Sequence, residues 1–444
     1  MRPLARWRTS GALWLAPVCL AVVLLYFFKS LHEEPGYTAL VDGPAWAPAV
    51  VARALDPYFW FAYAVAAALG AWEAGRLRKD GVWGLAPARS RYRVAAEALL
   101  PGVVVGWAML ALPVAMALAE TRTWPTVNSL PLLGMGWFLV GAHTTIGFTV
   151  GLWVHRVIAA PLLGAAVLYL VGWSASDGER LWPRHLSGQY SSGLGFGELV
   201  PFTVLWPHLA FTGAIAVFCA VAWVPLRARW ARGALRVLAG GTAAAVVAAC
   251  VAQVHTWGAV GPLSANHAPL ECAGSHPRVC VPRAADADVA ALRQDVVGAV
   301  TALRRAGVDV RMPDAVNDTL GTGRSGTRST GRQWWLPLSG AAQPEAVRLG
   351  VVRQSVRFPC ARTDLVRSRS AVLWAATVVS ADRRYLARQR QEVQQFARPG
   401  AVLAAMRHRV AEARTLTPAG QAAWFQRERA TACGGAGAGK GDRR

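Results

Sequence analysis

Charge is scarce in this chain, and what there is of it is one-sided. Only 16% of its 444 residues are Asp, Glu, Lys or Arg, against roughly a quarter in ordinary soluble domains. With 54% hydrophobic residues and a mean hydropathy of +0.29, that deficit excludes a conventional water-soluble protein. Lysine is almost missing, being confined to Lys29, Lys79 and Lys440, and Asp and Glu number 25 against 47 Lys and Arg. The resulting charge of +22 would suggest nucleic acid in a soluble protein. Here much of it flanks apolar runs, where membrane topology and anionic headgroups account for it, so no nucleic acid partner is expected. Catalytic signatures are missing as well. His32 is followed by Glu33, Glu34 and Pro35 and goes no further toward H-E-x-x-H, no G-x-S-x-G elbow occurs, and no solenoid period is visible. Without a clustered set of acids, bases or metal ligands, no enzymatic activity, cofactor or metal is expected.

What is present is a series of apolar runs, each long enough to cross roughly 30 Å of hydrocarbon. Seven are expected as spans: Gly11–Phe28, Tyr58–Ala74, Ala96–Ala119, Ser129–Val154, Val157–Trp173, Phe202–Leu226 and Ala234–Val254. The first follows Arg2, Arg6 and Arg8 but is too long for a signal-peptide core and has no small-residue cleavage site, so it reads as an uncleaved span. Trp60, Trp124, Trp153, Trp173 and Trp230 punctuate the ends, as an interfacial aromatic belt requires. Of the seven, Ala234–Val254 is rich in Ala and Gly and reads as the least apolar.

Loop charges set the orientation. With the amino terminus inside, the inner loops hold fourteen Lys and Arg and the short outer loops five, which places the amino terminus in the cytoplasm. Seven crossings then leave the remainder outside. That remainder carries 28 Lys and Arg against 14 Asp and Glu, but the charge rule governs short loops rather than long domains. If Ala234–Val254 lay on the membrane surface instead, the remainder would be cytoplasmic. The expected fold class is therefore an all-α polytopic membrane bundle over residues 1–257. A small α+β extracytoplasmic domain follows over 258–433, and a Gly-rich tail over 434–444.

The cysteines divide along the same line. Cys19, Cys219 and Cys250 lie inside apolar runs, where a thiol packs as a small apolar group. Cys272, Cys280, Cys360 and Cys433 all follow the last span. In an exported domain they read as two disulfides, best paired by proximity as Cys272–Cys280 and Cys360–Cys433, although four cysteines allow three connectivities. A metal site is the competing reading, with wider spacing than usual zinc knuckles and no completing histidine. Helices are expected at Ala287–Arg305, Asp364–Ala381, Leu386–Ala397 and Ala401–Arg414. A last one is expected from Pro418 behind the cap Thr417. Strands are expected at Val308–Arg311 and Val347–Phe358, and Gly321–Gly331 reads as a loop.

Three further features have a functional and a plain reading. Gly434–Lys440, GGAGAGK, fits part of a phosphate loop. It lacks the following Ser or Thr and the flanking strand and helix, and reads as a tail. His143, with Thr144, Thr145 and Thr149, places polar groups inside the fourth span, a functional hypothesis whose alternative is a neutral histidine bonded to a neighbouring helix. Glu73 and Glu97 flank a basic loop, where pairing with arginines is the simpler role. Gly102-x3-Gly106 and Gly147-x3-Gly151 permit close helix approach.

The basic entry, the loop RLRKDGVWGLAPARSRYR between the second and third spans, and the segment SGQYSSGLGFGE between the fifth and sixth form a recognisable layout. It resembles the permease subunits of ABC-2-type exporters, especially actinobacterial permease-like membrane proteins, over about the first 230 residues. The resemblance implies that the loop docks on a separate ATPase through Arg76, Arg78, Lys79, Arg89, Arg91 and Arg93, and that Gly188–Glu198 caps the pathway outside. Implied partners are the lipid bilayer, a separate ABC ATPase subunit, and a second permease subunit or a second copy of this chain as a homodimer. The seventh span and the appended domain depart from the family pattern. They keep open a second reading, in which the bundle anchors an extracytoplasmic sensor or binding domain that transports nothing.

Overall fold

The computed structural model describes residues 10–85, 90–191, 193–225, 228–325, 328–339, 344–360, 362–393 and 399–434. The chain divides into two compact units, Met1–His267 and Ala268–Arg444, so the boundary lies ten residues beyond the expected one.

The first unit is helical. α1, Gly11–Tyr26, is capped by the Ser10 hydroxyl, which accepts from the Ala12 amide, and continues as a π-helical turn through Leu31. Two short helices follow, α2 (Pro35–Asp42) and α3 (Ala47–Leu55), in what the sequence presents as a polar connection. α3 is buried over almost its whole surface and packs on two of the long helices, Arg91–Glu120 and Leu130–Gly151. The long helices then run α4 (Phe59–Lys79), α5 (Arg91–Glu120), α6 (Leu130–Gly151), α7 (Arg156–Ser176), α8 (Phe202–Ala222) and α9 (Arg229–Val254).

Among the described residues, six helical stretches are long and apolar enough to cross a membrane: Gly11–Leu31, Arg91–Glu120, Val127–Gly151, Arg156–Ser176, Phe202–Ala222 and Arg229–Val254. The expected second span is the one that falls short. α4 is 21 residues long, but Glu73, Arg76, Arg78 and Lys79 in its last turns and many Ala and Gly residues dilute its hydropathy. The reason is its position. α4 is enclosed by α5, α6 and α7 and buried on most sides, so lipid never selects its surface. The expectation that Ala234–Val254 is the least apolar span does not hold: Arg229–Val254 has a mean hydropathy of 1.9, against 1.2 for Val127–Gly151. Only 11% of the apolar window of α9 is covered by protein, and that helix has to meet its surroundings with its own side chains.

Contact between α4 and α6 is backbone to backbone. A Cβ on Gly147 would lie 2.0 Å from the Ala67 carbonyl oxygen, and one on Gly151 would lie 2.4 Å from that of Ala71. Gly147 and Gly151 therefore serve the small-residue packing that their spacing suggests.

The second unit contains a four-stranded mixed sheet in the order β1-β2-β3-β4. β1 (Leu270–Ala273) pairs antiparallel with β2 (Arg278–Pro282), which pairs parallel with β3 (Ala315–Asp318), itself parallel to β4 (Gln333–Leu336). The crossover from β2 to β3 is α10, Val289–Arg305, whose Val289, Val296, Val300 and Leu303 face the core at helical spacing. Then come α11 (Pro344–Ser355), α12 (Leu365–Val378), α13 (Asp382–Val393), α14 (Pro399–Arg414) and α15 (Pro418–Gly434). Two strand expectations fail here. Val308–Arg311 is irregular chain leading to β3, and Val347–Phe358 is mostly the helix α11. In α11, buried Val347, Val351 and Val352 with Leu349 form a helical stripe against the core, so tertiary burial overrides β-branched propensity. The expected loop Gly321–Gly331 begins as a 3-10 turn, Thr319–Ser325.

Trp374 on α12 is the largest fully buried side chain, stacked on Phe425 of α15 at 4.9 Å between ring centroids. The Gly420 amide donates to the Thr417 hydroxyl at 3.2 Å, the expected cap of α15. The disulfides form the expected pairs. Cys272 and Cys280 sit directly opposite on β1 and β2, and Cys360–Cys433 ties the end of α15 to the segment between α11 and α12. The competing metal-site reading is thereby set aside.

Candidate functional site

Contacts at the helix ends sort the first unit into two polar ends. At one end the Glu73 carboxylate, buried near the end of α4, accepts from the Ser10 hydroxyl at 3.0 Å and the Gly11 amide at 2.9 Å, and pairs with Arg76 at 2.6 Å. Arg78 donates to the Leu152 and Val154 carbonyls just beyond α6, at 3.0 and 3.2 Å. Arg156 at the start of α7 lies over the Trp72 ring at 4.8 Å. The Tyr92 hydroxyl of α5 donates to Ala220 O on α8, and Arg236 of α9 donates to Ala222 O. The starts of α1, α5, α7 and α9 thus meet the ends of α4, α6 and α8.

The opposite end gathers the other termini. His32 contacts Phe27 O and the Glu120 carboxylate, each at 2.8 Å, and the Tyr37 hydroxyl donates to Glu120 at 2.7 Å. The Phe27 carbonyl and then Glu120 raise the His32 pKa, while burial and the same carboxylate raise that of Tyr37. Arg53 pairs with Glu34, and Gln189 donates to both Asp56 O and Asp56 Oδ1. Burial pushes the Asp56 carboxyl up to about 6 despite Arg53 and the Gln189 bond. Asp56, Glu34 and Gln189 line a polar cavity of about 330 Å³. Gln253 donates to Thr203 O, linking the end of α9 to the start of α8. Successive long helices therefore alternate in direction, and α4 traverses the bundle with the other six.

The segment Gly188–Glu198 folds over this second end. Gly188, at φ +82°, accepts from the Tyr63 hydroxyl at 3.1 Å and donates its amide to His208 Nδ1 at 3.1 Å. Trp46 donates to Glu198 O, and Leu199 forms a bridge with Ser264. Among the described residues, Arg and Lys dominate the first end: Lys79, Arg91, Arg93, Arg156, Arg229, Arg232 and Arg236. At the second, acids outnumber cations: Glu33, Glu34, Asp42, Asp56, Glu120, Asp177, Glu179 and Glu198 stand against Lys29, Arg53, Arg122, Arg180 and Arg184.

The sequence-selected residues meet different fates. Arg76 and Arg78 are engaged in holding helix ends, and Arg93 pairs with Glu97 at 3.2 Å. Lys79 and Arg91 are exposed, and Arg89 lies outside the described residues, as does the GGAGAGK run beyond Gly434. His143 bonds Leu139 O through Nδ1 and stacks on Tyr63 at 4.7 Å. The Thr144, Thr145 and Thr149 hydroxyls each donate to the carbonyl four residues back. These polar groups are accommodated on their own helix and on one tyrosine. His208, buried on α8 with no bonding partner at Nε2, is the polar residue sequence reading missed. Its signal was a lone imidazole inside the apolar run Phe202–Leu226.

Among the described residues no group of three or more His, Cys, Asp or Glu could hold a metal. No family model, curated protein or solved structure matches the chain.

Proposed function

We propose that the chain is the membrane subunit of an ABC-2-type export system, with seven crossings, the Arg-rich end in the cytoplasm and the second unit outside. α4 is the seventh crossing, shielded from lipid by α5, α6 and α7. The observation that carries this reading is the division of charge between the two ends of one alternating bundle, with the segment Gly188–Glu198 folded over the acidic end. Positive charge is retained on the cytoplasmic side of short loops. Two disulfides in the second unit favour an oxidising, external compartment.

The ATPase that energises such a subunit is a separate chain, and it docks on the basic end. Because Arg76 and Arg78 hold the bundle together, docking falls to Lys79, Arg91 and their neighbours rather than to the whole loop. Co-purification from native membranes tests this. Lys79→Glu with Arg91→Glu should abolish recovery of an ATPase subunit while the bundle stays monodisperse. Unchanged recovery, or no ATPase with the unaltered chain, contradicts it.

One observation favours a second reading. The second unit has a continuous core of its own, from Val279 to Phe425, and closes both disulfides internally. In that reading the bundle is an anchor for an extracytoplasmic sensor or binding domain, and Lys79→Glu with Arg91→Glu is without phenotype.

A further inference from the structure

α9 packs along α8 and leaves a groove of about 840 Å³ between itself, α8 and α6. That volume is within the roughly 300–1,000 Å³ typical of small-molecule sites. The lining is apolar except for Thr242, whose hydroxyl already donates to Leu238 O at 2.9 Å, and the indole N–H of Trp206 at the exposed rim. With so few polar groups, the groove favours hydrocarbon. Its rim is open: Phe202, Trp206, Val217 and Leu238 are all exposed, so a chain can enter sideways from the surrounding bilayer.

The groove does not end in more apolar surface. Val221 and Leu235 line the groove, and their chain neighbours Ala222 and Arg236 line a second cavity, of about 420 Å³. Arg91 of α5 and Arg232 of α9 line the same cavity with Trp153 and Trp223, and among the described residues no Asp or Glu lines it. Along α9 the groove runs from Leu235 to Val246, about 17 Å at 1.5 Å per residue, close to the depth of one leaflet. One end is cationic and flanked by tryptophan, and the other is hydrocarbon-lined over a leaflet's depth. Basic pockets between membrane helices recognise anionic headgroups by charge.

We propose that this composite cleft binds an anionic glycerophospholipid of the leaflet at the basic end. The phosphate is held among Arg91, Arg232 and Arg236, and the acyl chains lie in the groove between α6, α8 and α9. The site requires only that the bundle sits in a bilayer; of its three cations, Arg91 is the one also named for docking above.

Native mass spectrometry of the full chain in a neutral detergent tests the site. The probes are phosphatidylglycerol, phosphatidylcholine of the same acyl chains, and deacylated glycerophosphoglycerol. Phosphatidylglycerol should be retained about tenfold more strongly than phosphatidylcholine, and the deacylated headgroup should not be retained. Arg232→Gln with Arg236→Gln should erase that preference, while Arg232→Lys with Arg236→Lys keeps most of it, because a headgroup phosphate is satisfied by a point charge. Ala239→Trp with Ala243→Trp, which fills the groove, should weaken retention of both lipids. Size-exclusion profiles identify a variant that fails to fold, and Arg91→Gln then supplies the independent removal of one cation. Equal retention of the two lipids, or a folded double Gln variant with the preference intact, overturns the proposal. So does retention of the headgroup alone, which would mark a phosphate site. A tryptophan pair that dissociates a dimer without changing lipid retention would assign the groove to a second copy and overturn it too.

Discussion

Glu73 is 1% exposed and gathers Ser10, the Gly11 amide and Arg76 around one carboxylate, tying the start of α1 to the end of α4. Removing one member of such a cluster leaves the other charge without its partner in a site built for two. Glu73→Ala should lower bundle stability by about 2–4 kcal/mol, read as a lower melting temperature in detergent. Lys79→Ala, nearby but exposed, should change stability by no more than about 0.5 kcal/mol. Asp56 makes a prediction of opposite kind. Its carboxyl is raised from 3.8 to about 6, mainly by burial, so the folded state holds its proton more tightly than the unfolded one. Stability linked to it is therefore full below about pH 4 and declines as pH rises through about 6, by about 3 kcal/mol in all. Melting at pH 5 and pH 7.5 should reveal that decline, and Asp56→Asn should remove it while keeping an oxygen for Gln189. An unchanged pH profile in the variant would refute the assignment.

At the scale of elements, α4 and α6 approach until backbones touch, and this contact organises the bundle. Gly147→Val would drive a side chain into the Ala67 carbonyl, whereas a Cβ at Gly134 on the same helix meets nothing within 4 Å. The first substitution should abolish recovery of monodisperse protein and the second should be tolerated, as size-exclusion profiles would report. In the second unit the Cys360–Cys433 bridge closes a loop of 73 residues, and on chain-entropy arithmetic it is worth about 4 kcal/mol. Cys360→Ser with Cys433→Ser should lower unfolding stability by about that amount. It should act first on α15, which also relies on the ion pair of buried Glu428 with Arg409 of α14. The long helices were legible because lipid-facing surfaces must be apolar whatever their neighbours, and α15 was legible from Thr417 and Pro418. α3, α11 and β4 were not. Each is set by burial against distant chain, as for Val347, Val351 and Val352, whose β-branched side chains look like a strand until a core on one side makes them a helix. The role of Arg76 and Arg78 was illegible for a similar reason, since a count of loop charges cannot tell a cation that caps α6 from one that faces water.

At the scale of the whole molecule, the parity of the crossings decides the side of the membrane on which the chain after α9 would emerge. Among the described residues six helices are apolar enough to cross alone, and α4 makes the number of traverses odd only because it runs between the same two polar ends. On the proposed topology, an odd number of crossings puts the chain after α9 outside, where Cys272, Cys280, Cys360 and Cys433 would stay oxidised. The most direct test is labelling of these four cysteines in intact cells with a membrane-impermeant thiol reagent, before and after an impermeant reductant. Cys19, Cys219 and Cys250 are replaced by Ala to remove the thiols of the bundle. Labelling that appears only after reduction, without opening the cells, is the predicted result. Labelling that needs broken cells and no reductant would contradict seven crossings and external disulfides together.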